Sequence, residues 1–367
     1  MKHKATEEST FVGVDLHTNR LTAFYITPSD RYSMTFELEE LEKFIETLGE
    51  DTFVSVEASC NTFKFCDQIK GKARAVIVAN PYKLRLISMV NKKTDKVDAE
   101  KLAMFLKNHV LGGEELIEPV FVPDQSIRNL RSLFVTYKNI QGQVVMTKNR
   151  IHALLKQNMI LIKTSDMTSK IGRVRIKQRC ADNSDIRFQI ELLFDTLDFH
   201  EKAKATLADQ IYRSAKPYRK EIDILTSLPG ISVFTACALI SDIADITRFK
   251  SAKKLASYLR SAPGVDSSNE VTKIKKTSKF GRRLSIELLI QAVTHFKTAH
   301  PNLASWHTQM IERKKSPGKV RIGICRKVIC QIFHMLKDGA YHFHRNERLH
   351  REKMAAYDRL IEIKVAA

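Results

Sequence analysis

The stretch FVGVDLHTNRLTAFYI, residues 11–26, decides the fold of the first part of the chain. Two short apolar runs flank the polar residues TNR, and this pattern predicts a β-hairpin. Further along, TFVSVEAS and ARAVIVAN have the composition of strands, whereas LEELEKFIETLG has a helical apolar period that ends at Gly49. Because strands and helices alternate, we expect an α/β domain over residues 8–122, with helices on the faces of a sheet.

Residues 123–220 have a different pattern, typical of long helices that pack side by side. Apolar residues recur here at an alternating spacing of three and four positions, which predicts a helix–helix seam. These residues are Leu130, Leu133, Tyr137, Ile140 and Val144. A second helical arm is expected from about residue 184 to 219, joined to the first by the polar, basic residues 165–182. We expect an antiparallel helical hairpin or coiled coil, closed within one chain or between subunits, and favour a role in dimerisation.

Residues 221–367 are expected to form a mainly α-helical domain. Within LTSLPGISVFTACALISDIADITRF, residues 225–249, Pro229 and Gly230 stand between two apolar helical stretches. A helix, a glycine-containing turn and a second helix resemble the helix-hairpin-helix motif, whose turn amides bind a phosphate. A basic segment follows, and its predicted nucleic-acid-binding residues are Lys273, Lys275, Lys276, Lys279, Arg282 and Arg283.

The charge of the chain favours a polyanionic partner. Sixty-one Lys and Arg residues against 41 Asp and Glu residues leave a net charge of +20. Each phosphate that a basic side chain neutralises releases condensed counterions, so nucleic acid is the expected partner and a merely solubilising surface is the alternative. No apolar run is long enough to cross a bilayer, and MKHKATEEST lacks the apolar segment of a signal peptide. We expect a cytoplasmic protein, nucleoid-associated when acting, with no membrane partner.

Four acidic residues form the candidate catalytic set. Asp15 and Glu57 stand at the ends of two predicted strands, and Asp95 and Asp98 lie three apart at the start of a predicted helix, on one face. Carboxylate oxygens bind hard divalent cations, and two such ions can activate a nucleophile and stabilise a leaving oxygen in phosphodiester chemistry. Taken singly, each acid could be a turn or helix-capping residue. Together they predict a site for Mg²⁺ or Mn²⁺.

Several segments resemble the DEDD transposases of insertion sequences, the group that is named after IS110 and includes the Piv DNA invertases. The segments are GVDLH, VEAS, ANPYKLRLI and KTDKVDAEKLA in the first part, and LASYLRSAPGVDSS and TSKFGRRL in the last. The resemblance implies an RNase H-like N-terminal domain related to the resolvase RuvC, and a C-terminal transposase domain. It also implies that the metal-binding acids are Asp15, Glu57, Asp95 and Asp98.

The resemblance further implies a serine nucleophile in the C-terminal domain. Ser268 is the first choice and Ser267 the second. The chain departs from the family pattern at Asn269 and Glu270, where glycines are usual, and at Ser285, where an arginine is usual. The family pattern also implies a dimer or tetramer in which acids and serine meet across subunits, DNA as substrate and a structured guide RNA encoded by the element.

We therefore predict a DNA transposase or site-specific recombinase. One alternative is a RuvC-like, metal-dependent structure-specific endonuclease that uses water as nucleophile. Ser268→Ala would leave strand cleavage intact in that case. The other alternative is a catalytically silent nucleic-acid-binding relative, for which binding would persist in EDTA and Mg²⁺ would cause no strand breakage.

Overall fold

The computed structural model describes residues 5–87, 94–113, 117–268, 271–277 and 280–362, with the backbone alone given for 85–87, 265–268 and 271–277. The chain divides into two compact units, the first ending at Val122 and the second beginning at Pro123. Each unit has apolar cores of its own, as expected of parts that pack independently.

Five strands form the sheet of the first unit: β1 (Thr10–Leu16), β2 (Arg20–Ile26), β3 (Arg31–Glu37), β4 (Thr52–Glu57) and β5 (Ala75–Ala79). Their order across the sheet is β3-β2-β1-β4-β5, with β1 antiparallel to β2 and parallel to β4. The predicted hairpin over residues 11–26 is confirmed, since Phe11 lies opposite Ile26 and Leu16 opposite Leu21. The strands predicted within TFVSVEAS and ARAVIVAN are present as β4 and β5.

Strand β3 is an element that the sequence does not predict. Phe36 is its one buried residue, and most of the others are exposed. An edge strand of this kind lacks the apolar alternation that marks a half-buried strand. It forms through backbone pairing with β2, in a register that places Phe36 opposite Leu21.

Helices cover both faces of this sheet: α1 (Leu41–Glu46), α2 (Thr62–Ile69), α3 (Pro81–Ile87) and α4 (Asp95–Leu111). On one face, Val14 belongs to a core that includes Phe44 of α1. On the other face, Phe11 belongs to a core formed with α4. Gly13 of β1 allows this close approach, because a Cβ atom there would lie 2.1 Å from the carbonyl oxygen of Ala99.

The second unit is mainly helical, as expected. Its helices are α5 (Gln125–Gln157), α6 (Lys170–Arg179), α7 (Ser184–Ser214), α8 (Arg219–Thr226), α9 (Val233–Ile243), α10 (Ala252–Tyr258), α11 (Leu284–Gln291), α12 (Val293–Ala299), α13 (Pro301–Glu312), α14 (Pro317–Asp338) and α15 (Glu347–Glu362). Helices α5 and α7 pack along each other within the chain, around a core that includes Val144, Ile151, Ile190 and Phe194.

The two longest helices are amphipathic rather than apolar all round. Helix α5 has 33 residues and α7 has 31, and only some residues of each are buried. Val144 and Ile190 belong to the core between these two helices, whereas Phe134 and Ile211 belong to the core that includes α9. Among the helices that the structure describes, none is both long enough and apolar enough to span a membrane.

A β-hairpin interrupts the helical second unit. Its strands are β6 (Pro263–Ser268) and β7 (Val271–Thr277), paired antiparallel. The sequence predicts helices through this region, and the difference has a local cause. Four of the seven residues of β7 are Val, Ile or Thr, and these β-branched side chains favour extended backbone.

Candidate metal-binding active site

Strand pairing places Asp15 and Glu57 next to each other at one edge of the sheet. Val14 lies opposite Val56 in the parallel pair of β1 and β4, and the two acids are the next residue of each strand. Side chains alternate between the faces of a strand, so Asp15 points to the same face as Gly13. Glu57 lies on that face as well, in step with Phe53. This is the face that α4 covers.

The first turn of α4 brings the other two acids to the same edge. Thr94 caps the helix, since its hydroxyl oxygen accepts a hydrogen bond of 3.3 Å from the backbone N–H of Val97. Asp95 and Asp98 both lie in the first turn, where the unpaired N–H groups of the helix favour negative charge. Because α4 packs on β1, its first turn lies beside Asp15.

A histidine bridges the acids of β1 and α4. The Nε2 atom of His17 lies 3.3 Å from Asp15 Oδ2 and 3.3 Å from Asp95 Oδ2. Arg20 donates a hydrogen bond of 2.9 Å from Nη2 to Asp95 Oδ2. One potential metal-binding atom from each of Asp15, His17 and Asp95 lies within 4.8 Å of the others. Two neighbouring residues at the end of β1 and one residue from the start of α4 thus form one compact group.

The electrostatics of the group are those of crowded carboxylates. Burial raises the pKa of Asp15 above its ordinary value, His17 opposes the rise, and the negative charges of Asp95 and Asp98 add to it. A slight loss of hydration raises the pKa of Asp95, but the hydrogen bond from Arg20 and the charge of His17 more than offset this and lower it. Asp98 forms an ion pair with a different residue, Lys101, whose Nζ lies 3.7 Å from Asp98 Oδ1. Among the described residues, Asp15, Asp95 and Asp98 thus lie close enough for their negative charges to act on one another.

The donor set fits a hard divalent cation. Carboxylate oxygens from Asp15, Glu57, Asp95 and Asp98 are ligands that suit Mg²⁺ and Mn²⁺. The imidazole of His17 is a ligand that Mn²⁺ accepts more readily than Mg²⁺. Of the four predicted acids, Asp15 and Asp95 belong to the compact group, Asp98 lies near enough to act on the pKa of Asp15, and Glu57 stands on the adjacent strand.

The sequence prediction did not include Arg20 among the site residues, and for His17 it favoured a cap of the strand end over membership of the site. A signal for His17 was present, since a residue two positions after Asp15 points to the same face of a strand. Arg20 could not be found in this way, because its contact with Asp95 joins residues 75 positions apart.

The predicted serines lie at the far end of the β6–β7 hairpin. Ser267 pairs with Thr272, and Ser268 with Val271, whereas Pro263 and Thr277 close the base. Three of the predicted nucleic-acid-binding lysines, Lys273, Lys275 and Lys276, lie along β7. Lys279 lies outside the residues that the structure describes.

The predicted phosphate-binding turn lies between α8 and α9. Gly230 has a φ of +96°, and a Cβ atom there would meet the ring of Phe296 at 2.8 Å, so glycine is required on both grounds. Ser232 caps α9 by accepting a hydrogen bond from the N–H of Thr235. Pro229 and Gly230 are half-buried at this turn. The local arrangement is helix, glycine turn and capped helix, as the sequence predicts.

The two predicted arginines have different surroundings. Arg282 donates from Nε to Oδ1 of the buried Asp242, at 2.8 Å. Arg283 is 70% exposed and forms an ion pair with Glu287 at 2.5 Å. One of the two is therefore anchored to the interior, and the other lies at the surface.

Comparison with known proteins identifies the family. Residues 12–160 match the DEDD transposase model of IS110, and residues 222–308 match the family described as Transposase IS116/IS110/IS902. The chain belongs to the IS110 family of DEDD transposases. The first IS110-family match includes all four predicted acids, and the second includes the glycine turn and the serine-bearing hairpin.

A curated IS110 protein is also similar to part of the chain. The "Insertion element IS110 uncharacterized 43.6 kDa protein" of Streptomyces coelicolor is 29% identical over 119 residues. The match covers 32% of this chain and 29% of the relative. The chain thus spans less than a third of the length of the curated relative it matches.

Proposed function

We propose that this IS110-family chain is a DNA transposase of an insertion sequence, a site-specific recombinase that cuts and rejoins phosphodiester bonds. The observation that carries the proposal is the meeting of Asp15 and Asp95 around His17, in a segment that matches the DEDD transposase model. A second support is the glycine turn and serine-bearing hairpin within the other matched segment.

The first unit is proposed to be an RNase H-like domain. Its mixed sheet, with β1 antiparallel to β2 and parallel to β4, is compatible with that fold. Acids at the ends of β1 and β4, opposite the start of α4, lie where a phosphodiester could approach from the edge of the sheet. The domain boundaries that we propose are residues 8–122, 123–220 and 221–367.

The four acids are proposed to hold Mg²⁺ or Mn²⁺. When bound, such an ion neutralises the negative charge that develops on the phosphate during substitution. Asp15, Glu57, Asp95 and Asp98 would be its ligands. His17 contacts Asp15 and Asp95 at 3.3 Å and thereby fixes the orientation of both carboxylates.

Ser268 is proposed as the nucleophile, with Ser267 as second choice. The serine Oγ forms a bond to phosphorus while the bond from phosphorus to the departing deoxyribose oxygen breaks, and that oxygen receives the serine proton. The product is a phosphoserine ester and a free DNA hydroxyl group. No phosphodiester energy is lost to water, so the reverse attack by a hydroxyl of another strand completes the rejoining.

The proposed partners are DNA, a structured guide RNA and further copies of the chain. The net charge of +20 supports nucleic acid as partner. The turn at Pro229 and Gly230 is proposed to contact a phosphate through the backbone N–H of Gly230, since proline has no N–H to donate. Lys273, Lys275, Lys276, Lys279 and Arg283 are proposed to contact the nucleic-acid backbone. The subunit number of the proposed homo-oligomer is two or four.

A covalent protein–DNA adduct on a denaturing gel tests the proposal. The purified full chain is incubated with element-end DNA, the flanking non-coding RNA and Mg²⁺. Wild type is compared with Ser268→Ala and Asp95→Asn, and with Ser305→Ala, which removes an exposed serine of α13, as the control. We expect an adduct in wild type and Ser305→Ala that is absent from the other two variants.

The other outcomes separate the alternatives. Cleaved DNA without any adduct would indicate a water-using endonuclease and would remove the serine assignment. An adduct that persists in Ser268→Ala and disappears in Ser267→Ala would move the assignment to Ser267. DNA binding in EDTA together with intact DNA in Mg²⁺ would indicate a silent binding protein.

A further inference from the structure

Three arginines converge on the C-terminal end of α9. They come from α5, from the segment after α9 and from the segment after the β6–β7 hairpin. The hydrogen bonds run from Arg131 Nε to the Ser241 carbonyl (2.7 Å), from Arg248 Nε to the Ile243 carbonyl (3.0 Å) and from Arg282 Nε to Asp242 Oδ1 (2.8 Å). Each guanidinium is thus held by the same helix end.

The cluster has more positive than negative charge. A helix C-terminus contributes roughly half a negative charge, and Asp242 contributes one more, against three guanidinium groups. Burial lowers the pKa of Arg131, and the charges of Arg282 and Arg248 lower it further, while Tyr258 and Asp242 oppose the change. Among the side chains that the structure describes, Asp242 is the carboxylate that acts on Arg131, and its charge opposes the repulsion by Arg282 and Arg248 only in part.

The guanidinium groups are held in fixed orientations. Asp242 is fully buried and also accepts hydrogen bonds from the backbone N–H and the hydroxyl of Ser285, at 2.9 and 2.8 Å. The guanidinium of Arg248 lies 4.2 Å from the ring centroid of Phe249 and 4.4 Å from that of Tyr258. Cations fixed in this way lose little conformational entropy when they bind an anion.

Hydrogen-bond donors remain on two of the arginines. A guanidinium has five N–H groups. Within the described part of the chain, the side chain of Arg131 uses two donor atoms, both on backbone carbonyls, and that of Arg282 uses Nε alone. Both side chains are half-buried, so their remaining N–H groups can meet a ligand at the surface.

The cluster lies at the base of the hairpin that carries the serines. The backbone N–H of Arg282 donates to the carbonyl of Tyr258 at 2.9 Å, which joins the two ends of the hairpin segment. Ser268 lies five residues from Pro263 along β6, a distance of about 17 Å at about 3.3 Å per residue. At about 3.4 Å per nucleotide, this distance corresponds to about five nucleotides of one DNA strand.

We propose that Arg131 and Arg282 donate to a backbone phosphate of the DNA strand that Ser268 attacks, several nucleotides from the reacting bond, and that Arg248 adds its positive charge beside them. The inference rests on the proposed function, since it takes DNA as the substrate. Guanidinium groups suit this ligand because their planar N–H pairs match two phosphate oxygens. Such a contact positions the strand along the hairpin and carries no base specificity.

Fluorescence anisotropy of the full chain with a labelled mixed-sequence DNA duplex tests the site. Arg131→Gln and Arg248→Gln are each expected to weaken binding about tenfold and to reduce the slope of log K against log salt by about one. The control is Arg348→Gln, which removes an arginine of α15 that is 81% exposed, and is expected to change the affinity less than about twofold. Arg131→Lys keeps the positive charge but lacks the planar pair of N–H groups, so we expect it to lose less affinity than Arg131→Gln.

Thermal melting of each variant shows whether it is folded, and Arg131→Lys replaces Arg131→Gln if the latter is not. Unchanged affinity in the folded Arg131 and Arg248 variants, or an equal loss in Arg348→Gln, would overturn the site. Losses seen with an RNA duplex but not with DNA would overturn the DNA assignment. An adduct from wild type together with unaltered binding by the arginine variants would remove the phosphate site and leave the transposase. A wild type that does not bind DNA would remove both.

Discussion

Arg20 and Asp95 form an ion pair in which Nη2 lies 2.9 Å from Oδ2, and the carboxylate is one of the proposed metal ligands. The pair joins the start of β2 to the start of α4. A metal ion and a guanidinium cannot both approach the same carboxylate oxygen without repulsion. Metal binding at Asp95 should therefore compete with Arg20.

Arg20→Gln is predicted to strengthen metal binding. The arginine is 49% exposed and the aspartate 36%, so the pair contributes at most about 1 kcal/mol, which corresponds to about fivefold in affinity. Isothermal titration of Mn²⁺ into the full chain measures the change. Arg31→Gln, at the exposed start of β3, is the control and should bind Mn²⁺ like wild type. Weaker binding by Arg20→Gln would mean that the arginine supports the site instead.

Asp15→Asn is predicted to abolish metal binding and to stabilise the metal-free protein. Its pKa is raised above 3.8 by burial and by Asp95 and Asp98, so the charged form is disfavoured in the folded state. The stabilisation should be present above the raised folded pKa and disappear well below 3.8, where the carboxyl group is protonated in both states. Thermal melting in EDTA across this range measures it. Asp51→Asn, at an 80% exposed residue, should not raise the midpoint.

The second unit is predicted to lose stability in acid through a cluster of histidines. His300, His342 and His344 have ring centroids 4.9 to 6.1 Å apart. Burial and the two neighbouring imidazoles lower the pKa of His342 from 6.5 to about 4. The unfolded chain therefore binds a proton that the folded chain does not, and stability falls as the pH drops from about 6.5 to about 4. The loss from this one group is at most about 3 kcal/mol.

Urea unfolding at pH 7 and pH 4.5 measures that loss. His342→Asn cannot take up the proton and should show a smaller difference between the two pH values than wild type does. His152→Gln, at an exposed residue of α5, should keep the wild-type difference. Equal pH dependence in wild type and His342→Asn would show that other groups cause the acid sensitivity.

The sequence predicted those features that short-range patterns determine. The β1–β2 hairpin and strand β4 follow from apolar runs that are buried in the structure. The acids could be chosen because strand ends and a single helical turn fix where their side chains point. Strand β3 lacks such a pattern, and it is stabilised by pairing at the edge of the sheet.

Contacts between distant segments could not be predicted in this way. The contacts of His17 and Arg20 with Asp95 require α4 to lie on β1, which no local pattern specifies. The same holds for the cluster of Arg131, Arg248 and Arg282, whose members come from three different segments. The sequence predicts a nucleic-acid contact for Arg282 but does not distinguish Arg131 and Arg248 from other basic residues. The end of α9 brings the three together.

Gly13→Ala is predicted to disrupt the proposed metal site by displacing α4, which packs on Gly13. The added Cβ would lie 2.1 Å from the carbonyl oxygen of Ala99 and 2.4 Å from the backbone nitrogen of Ala103, so backbone must move. The displaced element is α4, whose first turn holds Asp95 and Asp98. We expect a loss of stability of about 2 kcal/mol or more and Mn²⁺ affinity at least about tenfold weaker.

Gly142→Ala provides the matched control for this substitution. Gly142 lies inside α5, and apart from the neighbouring backbone of the helix itself no atom of the described residues lies within 4 Å of an added Cβ there. Alanine favours a helix interior over glycine, so this variant should be stabilised by about 0.5 to 1 kcal/mol, with metal affinity unchanged. If the Gly13→Ala variant were destabilised but bound Mn²⁺ as tightly as wild type, metal binding would not depend on how α4 packs on β1. In that case Asp15 of β1 and Glu57 of β4 would be enough to bind the metal, because Gly13→Ala displaces only the acids of α4.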